Sequence, residues 1–157
     1  MFVDRHQELA FLNSLLNRQH PGPAQLVLLY GRRRVGKTEL LLHWALNSGV
    51  DFTYWAALRE NPTMQRNHLF AQLLNVPEES APAHRSWSAL WDAAADLLGS
   101  KKHILILDEL PYAAEADPAM LSVAAARARE LHEAAQQDRA VGGVRGRLPQ
   151  RFGVEPF

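Results

Sequence analysis

An apolar run, Leu26–Tyr30, stops at the octapeptide "GRRRVGKT", Gly31–Thr38, and "ELLLHW" follows at once. The run is too short for a helix core and has the length of a buried strand, whereas Thr38–Trp44 has the pattern of a helix. The chain must therefore turn from strand to helix through a loop of two glycines flanking three arginines and a valine. Glycine tolerates the left-handed backbone that aims successive N–H groups into one concavity, and a helix beginning there adds its positive N-terminal end. Such a loop holds an anion by main chain, so side chains between the glycines are free to face outward.

Gly31, Gly36, Lys37 and Thr38 satisfy G-x-x-x-x-G-K-[ST], the Walker A phosphate loop. Gly31, Arg32, Arg33, Arg34, Val35, Gly36, Lys37, Thr38 and Glu39 are the candidate nucleotide-binding residues. Lys37 is expected to reach the β- and γ-phosphates and the Thr38 hydroxyl to be a Mg²⁺ ligand. Arg32, Arg33 and Arg34 read as a solvated run that adds local positive potential. The alternative is that one of them contacts a partner protein, a neighbouring subunit or nucleic acid.

The second chemical signal is "ILILDE". Ile104–Leu107 is an aliphatic strand running into Asp108 and Glu109, the Walker B form. Asp108 is the candidate metal carboxylate and Glu109 the candidate general base that polarises water. Lys37 joins Glu109 as the candidate catalytic pair. His103, just before this strand, reads as an exposed edge residue, and the other histidines show no metal-like spacing.

Between these motifs, strand and helix signals alternate. Asp4 with Gln7 marks a helix start, and Leu9, Leu12, Leu15 and Leu16 line one face. Gly49 is the expected C-terminal cap of the helix after the phosphate loop. "DFTYWAA", Asp51–Ala57, is a second strand. Asn61–Pro62 starts a helix with Met64, Leu69, Phe70, Leu73 and Leu74 as apolar positions. "PEESAPAHRS" reads as a loop. Trp87, Leu90, Trp91, Ala94, Leu97 and Leu98 follow i, i+3, i+4, i+7 spacing up to Gly99. That spacing assigns Trp87 and Trp91, like Trp44 and Trp55, to a core rather than to a platform for bases. The alternation predicts an α/β domain with a mostly parallel sheet. Ligands of such sheets bind at the strand carboxyl ends, so the two motifs are expected to meet in space.

Length and composition narrow the function further. A chain of 157 residues, 47% hydrophobic, has room for one domain with a core. Lys plus Arg and Asp plus Glu both number 17, so no net field draws it to nucleic acid or acidic membranes. It has no cysteine, which excludes disulfides, thiolate metal sites and thiol catalysis. The start has no signal-peptide pattern and no apolar run is long enough to span a bilayer, so a cytoplasmic protein is expected.

Taken together, "FVDRHQEL", "LYGRRRVGKTEL", "FTYWAA", "SWSALW" and "ILILDELPYAAEADPAML" resemble the prokaryotic P-loop ATPases often called archaeal ATPases, relatives of the AAA and STAND proteins. The resemblance covers about residues 1–122. It implies a three-layer P-loop NTPase sandwich, ATP and Mg²⁺ as ligands, and the roles given above for Gly31–Thr38, Asp108 and Glu109. It also makes Phe2, Val3 and Arg5 nucleotide-contact candidates on the adenine side. A homo-oligomer or protein partner is compatible with the family; nucleic acid is not indicated.

The family pattern would continue after Leu121 with a sensor strand and a helical lid. Here residues 123–157 contain seven alanines, six arginines and four glycines without an aliphatic strand. Residues 1–122 are thus expected to be the N-terminal part of the ATPase domain, and its C-terminal half to be incomplete. Asp117 and Pro118 can start a helix running to about Gln137, with an unstructured tail beyond. Out-of-frame translation after Ser122 is one account of this segment; a short divergent protein and a basic nucleic-acid tail are the others. Three functions stay open: ATP hydrolysis, nucleotide binding without hydrolysis, and small-molecule phosphorylation. Glu109 beside Asp108 favours the first over the third, and no Asn-Lys-x-Asp motif supports GTP.

Overall fold

Asp51–Ala56 (β1) and His103–Asp108 (β2) pair in parallel, with Asp51 opposite His103 and Ala56 opposite Asp108. Both are rich in β-branched, aromatic and aliphatic residues, which suit a pleated sheet buried between other elements. These are coordinates of a computed structural model that describes residues 5–17, 25, 27, 29–32, 34–99 and 101–126. The helices are α1 (His6–Leu16), α2 (Lys37–Asn47), α3 (Pro62–Leu74), α4 (Trp87–Leu98) and α5 (Leu110–Ala116). Residues up to Leu40 belong to one compact unit and Leu41–Ala124 to another.

In the second unit, the chain leaves β1, passes through α3 and α4, and returns as β2. In-register parallel pairing puts Thr53, Trp55 and Ala57 on the same sheet face as His103, Leu105 and Leu107. That face meets the helices. Trp55 joins Leu69, Phe70 and Leu73 of α3 and Trp87, Leu90, Trp91 and Ala94 of α4 in one buried cluster, to which α5 adds Ala113. Trp87 stacks on Trp91 at 6.3 Å and meets Trp55 edge-on at 6.5 Å, arrangements that aromatic quadrupoles favour. Trp55, Trp87 and Trp91, expected in a core, are buried in this cluster, and Trp44 of α2 is buried as well.

Local chemistry fixes the helix ends. Asn61 Oδ1 accepts from Met64 N at 3.0 Å with Pro62 at the first helical position, and Ser86 Oγ accepts from Ala89 N at 3.2 Å. Caps of this kind contribute about 1 kcal/mol each. Gly49 has φ +69, the left-handed conformation expected of it. Asp117 Oδ1 accepts from Ala119 N at 3.0 Å, and residues 119–126 are helical, so a helix does begin where Asp117–Pro118 signalled one.

Several expectations are corrected. Within the expected strand Leu26–Tyr30, Val27 forms a bridge and Leu29 and Tyr30 have no regular structure, while Leu26 and Leu28 lie outside the described residues. Among those residues the sheet therefore has two strands rather than three. "PEESAPAHRS" contains a 3-10 turn, Glu78–Ser80, and His68 ties it down, with Nδ1 2.9 Å from Glu60 and Nε2 2.8 Å from Glu78. Met64 is exposed, and α3 buries Gln65 and Arg66 in its place. Gln65 Nε2 donates to the carbonyls of Leu58, Glu60 and Tyr112 at 3.0–3.3 Å, satisfying loop acceptors that a methionine would leave unpaired. His103 is half-buried rather than exposed, its Nε2 2.9 Å from Thr53 Oγ1 on the same face. The Asp4 cap, Phe2, Val3, Arg33 and the segment from residue 127 onward lie outside the described residues.

Candidate functional site

The phosphate-loop candidates lie in the first unit. Arg34 has φ +64 and Gly36 φ +78, so two alternate residues of the loop take the left-handed backbone that curls a chain around an anion. Gly31, at φ +154, lies in a region open to glycine and to little else. Lys37, the first residue of α2, folds back over the loop, its Nζ donating to the carbonyls of Gly31 at 3.0 Å and Arg32 at 2.9 Å. The ammonium thereby joins the start of the loop to its end and sits where the helix begins. Leu40 N donates to Gly36 O at 2.9 Å, which fixes the first turn of α2 directly behind the loop. Arg32, Arg34, Val35 and Glu39 are exposed, and Gly36, Lys37 and Thr38 are half-buried.

Arg5, a nucleotide-contact candidate from its position, bonds to two residues of this unit. Its Nη2 donates to the Val35 carbonyl at 2.7 Å, and its Nη1 to Glu8 Oε1 at 3.0 Å. The residue just before α1 is thus fastened to the phosphate loop itself. Sequence gave no signal for this contact, because a carbonyl acceptor carries no side-chain identity.

The acidic pair lies in the second unit, at the carboxyl end of β2. Asp108 closes the strand, and Ala57 N donates to its carbonyl at 2.9 Å, extending the pairing one residue past β1. Its carboxylate is held at both oxygens: Tyr54 Oη donates to Oδ2 at 3.0 Å and Glu109 N to Oδ1 at 2.8 Å. Burial, then the bond to Asp108, push the Tyr54 phenol up to about 12, with the charges of Asp108 and Glu109 adding. The phenol stays a donor across the physiological range. Tyr54 was not among the sequence candidates; the available clue was its place two residues before the end of a strand parallel to β2.

Glu109 sits at φ 51, ψ 33, a left-handed conformation that costs a non-glycine residue about 1–2 kcal/mol. It turns the chain from β2 into α5 in a single residue, and its side chain is exposed and makes no capping bond to that helix. Strain of this kind gathers where a side chain must be presented rather than packed. Close by, Arg59 lies 4.9 Å over the ring of Tyr112, and both line an open depression of about 310 Å³ with Glu60, Glu115 and Ala116.

No cluster of three or more His, Asp or Glu residues that could hold a metal ion occurs among the described residues. Nor is any described helix long and apolar enough to cross a membrane.

Residues 2–137 match the family described as an ATPase domain predominantly from Archaea. The match covers most of the chain and runs beyond Ser122, and the chain belongs to this archaeal ATPase family. An uncharacterized protein of Methanocaldococcus jannaschii is 32% identical over 123 residues, which are 78% of this chain and 25% of that protein. An uncharacterized ATP-binding protein of the same organism is 46% identical over 50 residues, 32% of this chain and 80% of that one. The chain thus spans a quarter of the first relative's length. No solved structure matches.

Proposed function

We propose that this chain binds ATP through the loop Gly31–Thr38 and that, with Mg²⁺, it hydrolyses the nucleotide. The observation that carries the reading is the loop itself: left-handed Arg34 and Gly36, and a Lys37 ammonium bonded to the carbonyls of Gly31 and Arg32 at the start of α2. Family membership and the name of the ATP-binding relative support the same ligand. In this reading the loop's N–H groups and the N-terminus of α2 hold the polyphosphate, and Lys37 neutralises the β- and γ-oxygens. Thr38 and Asp108 are the residues that would hold Mg²⁺, and the ion would offset phosphate charge. Glu109 accepts a proton from the water that attacks the γ-phosphorus, and ADP leaves as phosphate forms.

Phosphate release from Mg-ATP by the purified chain and by Glu109→Gln tests the chemistry. Loss of turnover by about 10²-fold or more in the variant, with nucleotide binding retained, is expected for a general base. Equal turnover in both would reject that role. Binding without turnover in either would leave a nucleotide-binding module, and phosphate appearing on an added small molecule rather than in water would make the protein a kinase.

A further inference from the structure

The contact between Tyr54 and Asp108 joins two strands that are far apart in sequence, at the end of the sheet where the acidic pair lies. In-register pairing places Ala56 opposite Asp108 and Tyr54 opposite Ile106, so Tyr54, Ala56, Ile106 and Asp108 share one face. From two residues back along β1, the phenol reaches diagonally to Asp108 Oδ2 at 3.0 Å. The other carboxylate oxygen accepts the Glu109 N–H at 2.8 Å, from the same residue whose left-handed backbone turns the chain. With Oδ2 bonded from the neighbouring strand and Oδ1 by the N–H of the next residue, the carboxylate plane is fixed about its Cβ–Cγ bond.

We infer that Tyr54 is a positioning residue for the metal site: it holds the Asp108 carboxylate in one orientation through the phenol hydroxyl. This rests on the reading of Asp108 as the Mg²⁺ carboxylate. A phenylalanine would fill the same space on the sheet face without the hydroxyl, so core packing does not account for a tyrosine there. The bond also leaves Tyr54 and Asp108 mutually satisfied in a half-buried setting, where either alone would lose solvation. Partners one step behind a metal ligand commonly change metal affinity by about 10–100-fold when removed.

The test is Tyr54→Phe, followed by nucleotide-induced thermal stabilisation at fixed ATP, first in EDTA and then over a Mg²⁺ titration. The metal-free shift belongs to the phosphate loop and is expected to stay as in the parent. The Mg²⁺ concentration giving half of the additional shift is expected to rise about 10–100-fold. The same titration with Mn²⁺, followed by electron paramagnetic resonance, reads metal occupancy directly and does not depend on the variant's own melting temperature. An unchanged metal midpoint in Tyr54→Phe would overturn the proposal and leave the bond a purely structural one. A parent chain that gains an ATP shift but no Mg²⁺ increment would overturn the metal role of Asp108 instead, and Tyr54's role with it.

Discussion

Leu90 is fully buried between the tryptophans of α4 and the helices and strands around them, whereas Leu97, two turns further along the same helix, is 36% exposed. Truncating each to alanine separates burial from helix chemistry. Leu90→Ala removes three carbons, about 2.4 kcal/mol at ~0.8 kcal/mol per buried methylene. A cavity is added to that loss, because Trp87 and Trp91, stacked on one another and met edge-on by Trp55, are rigid plates that close poorly around a void. The expected cost is therefore in the upper part of the measured Leu→Ala range, about 3–5 kcal/mol. At ~2–4 °C per kcal/mol for a domain of this size, melting should fall by about 6–20 °C. Leu97→Ala should change stability by less than about 0.5 kcal/mol, since alanine is at least as good a helix former. Urea unfolding of both variants, followed by tryptophan fluorescence, reads the difference. Equal costs at the two positions would refute the register of α4 and with it the cluster that supports β2.

Two further outcomes follow from named groups. Glu109→Gly should abolish turnover yet leave the fold as stable as the parent or up to about 1 kcal/mol more so, because glycine takes φ 51 without strain; a loss of more than about 1 kcal/mol in thermal or urea unfolding would deny that strain. The His103 imidazole is held below its usual pKa by burial first and by Lys101 next, while Asp51 opposes them. The unfolded chain thus takes up the proton at a higher pH than the folded one, so stability falls as pH drops through about 6.5 and levels off below the folded pKa. His103→Gln should remove that part of the fall as pH drops below about 6.5, and an identical urea profile in the two proteins would contradict it.

What could be read from residue order was what depends on neighbours along the chain. The helix start at Asn61–Pro62, the strands expected over "DFTYWAA" and "ILIL" and the apolar spacing of α4 are all local patterns, and each element lies within a residue of where its pattern put it. What stayed hidden depends on groups brought together by the fold. Gln65 and Arg66 are buried because backbone carbonyls of Leu58, Glu60, Tyr112 and His84 need donors, and carbonyls leave no mark in a sequence. Tyr54 meets Asp108 only through the register of two strands separated by two helices. His103 is drawn in by a threonine on the neighbouring strand.

The most direct test of the central claim is thermal unfolding of the purified chain with and without saturating Mg-ATP, beside Lys37→Ala. A ligand that binds the folded chain alone must raise its melting temperature, by an amount equivalent to about 2.7 kcal/mol at 100 times Kd. The account predicts a rise of several degrees in the parent and its loss in the variant, whose loop keeps its glycines but not its ammonium. No rise in the parent, or the same rise in both, would contradict nucleotide binding by the loop from Gly31 to Thr38.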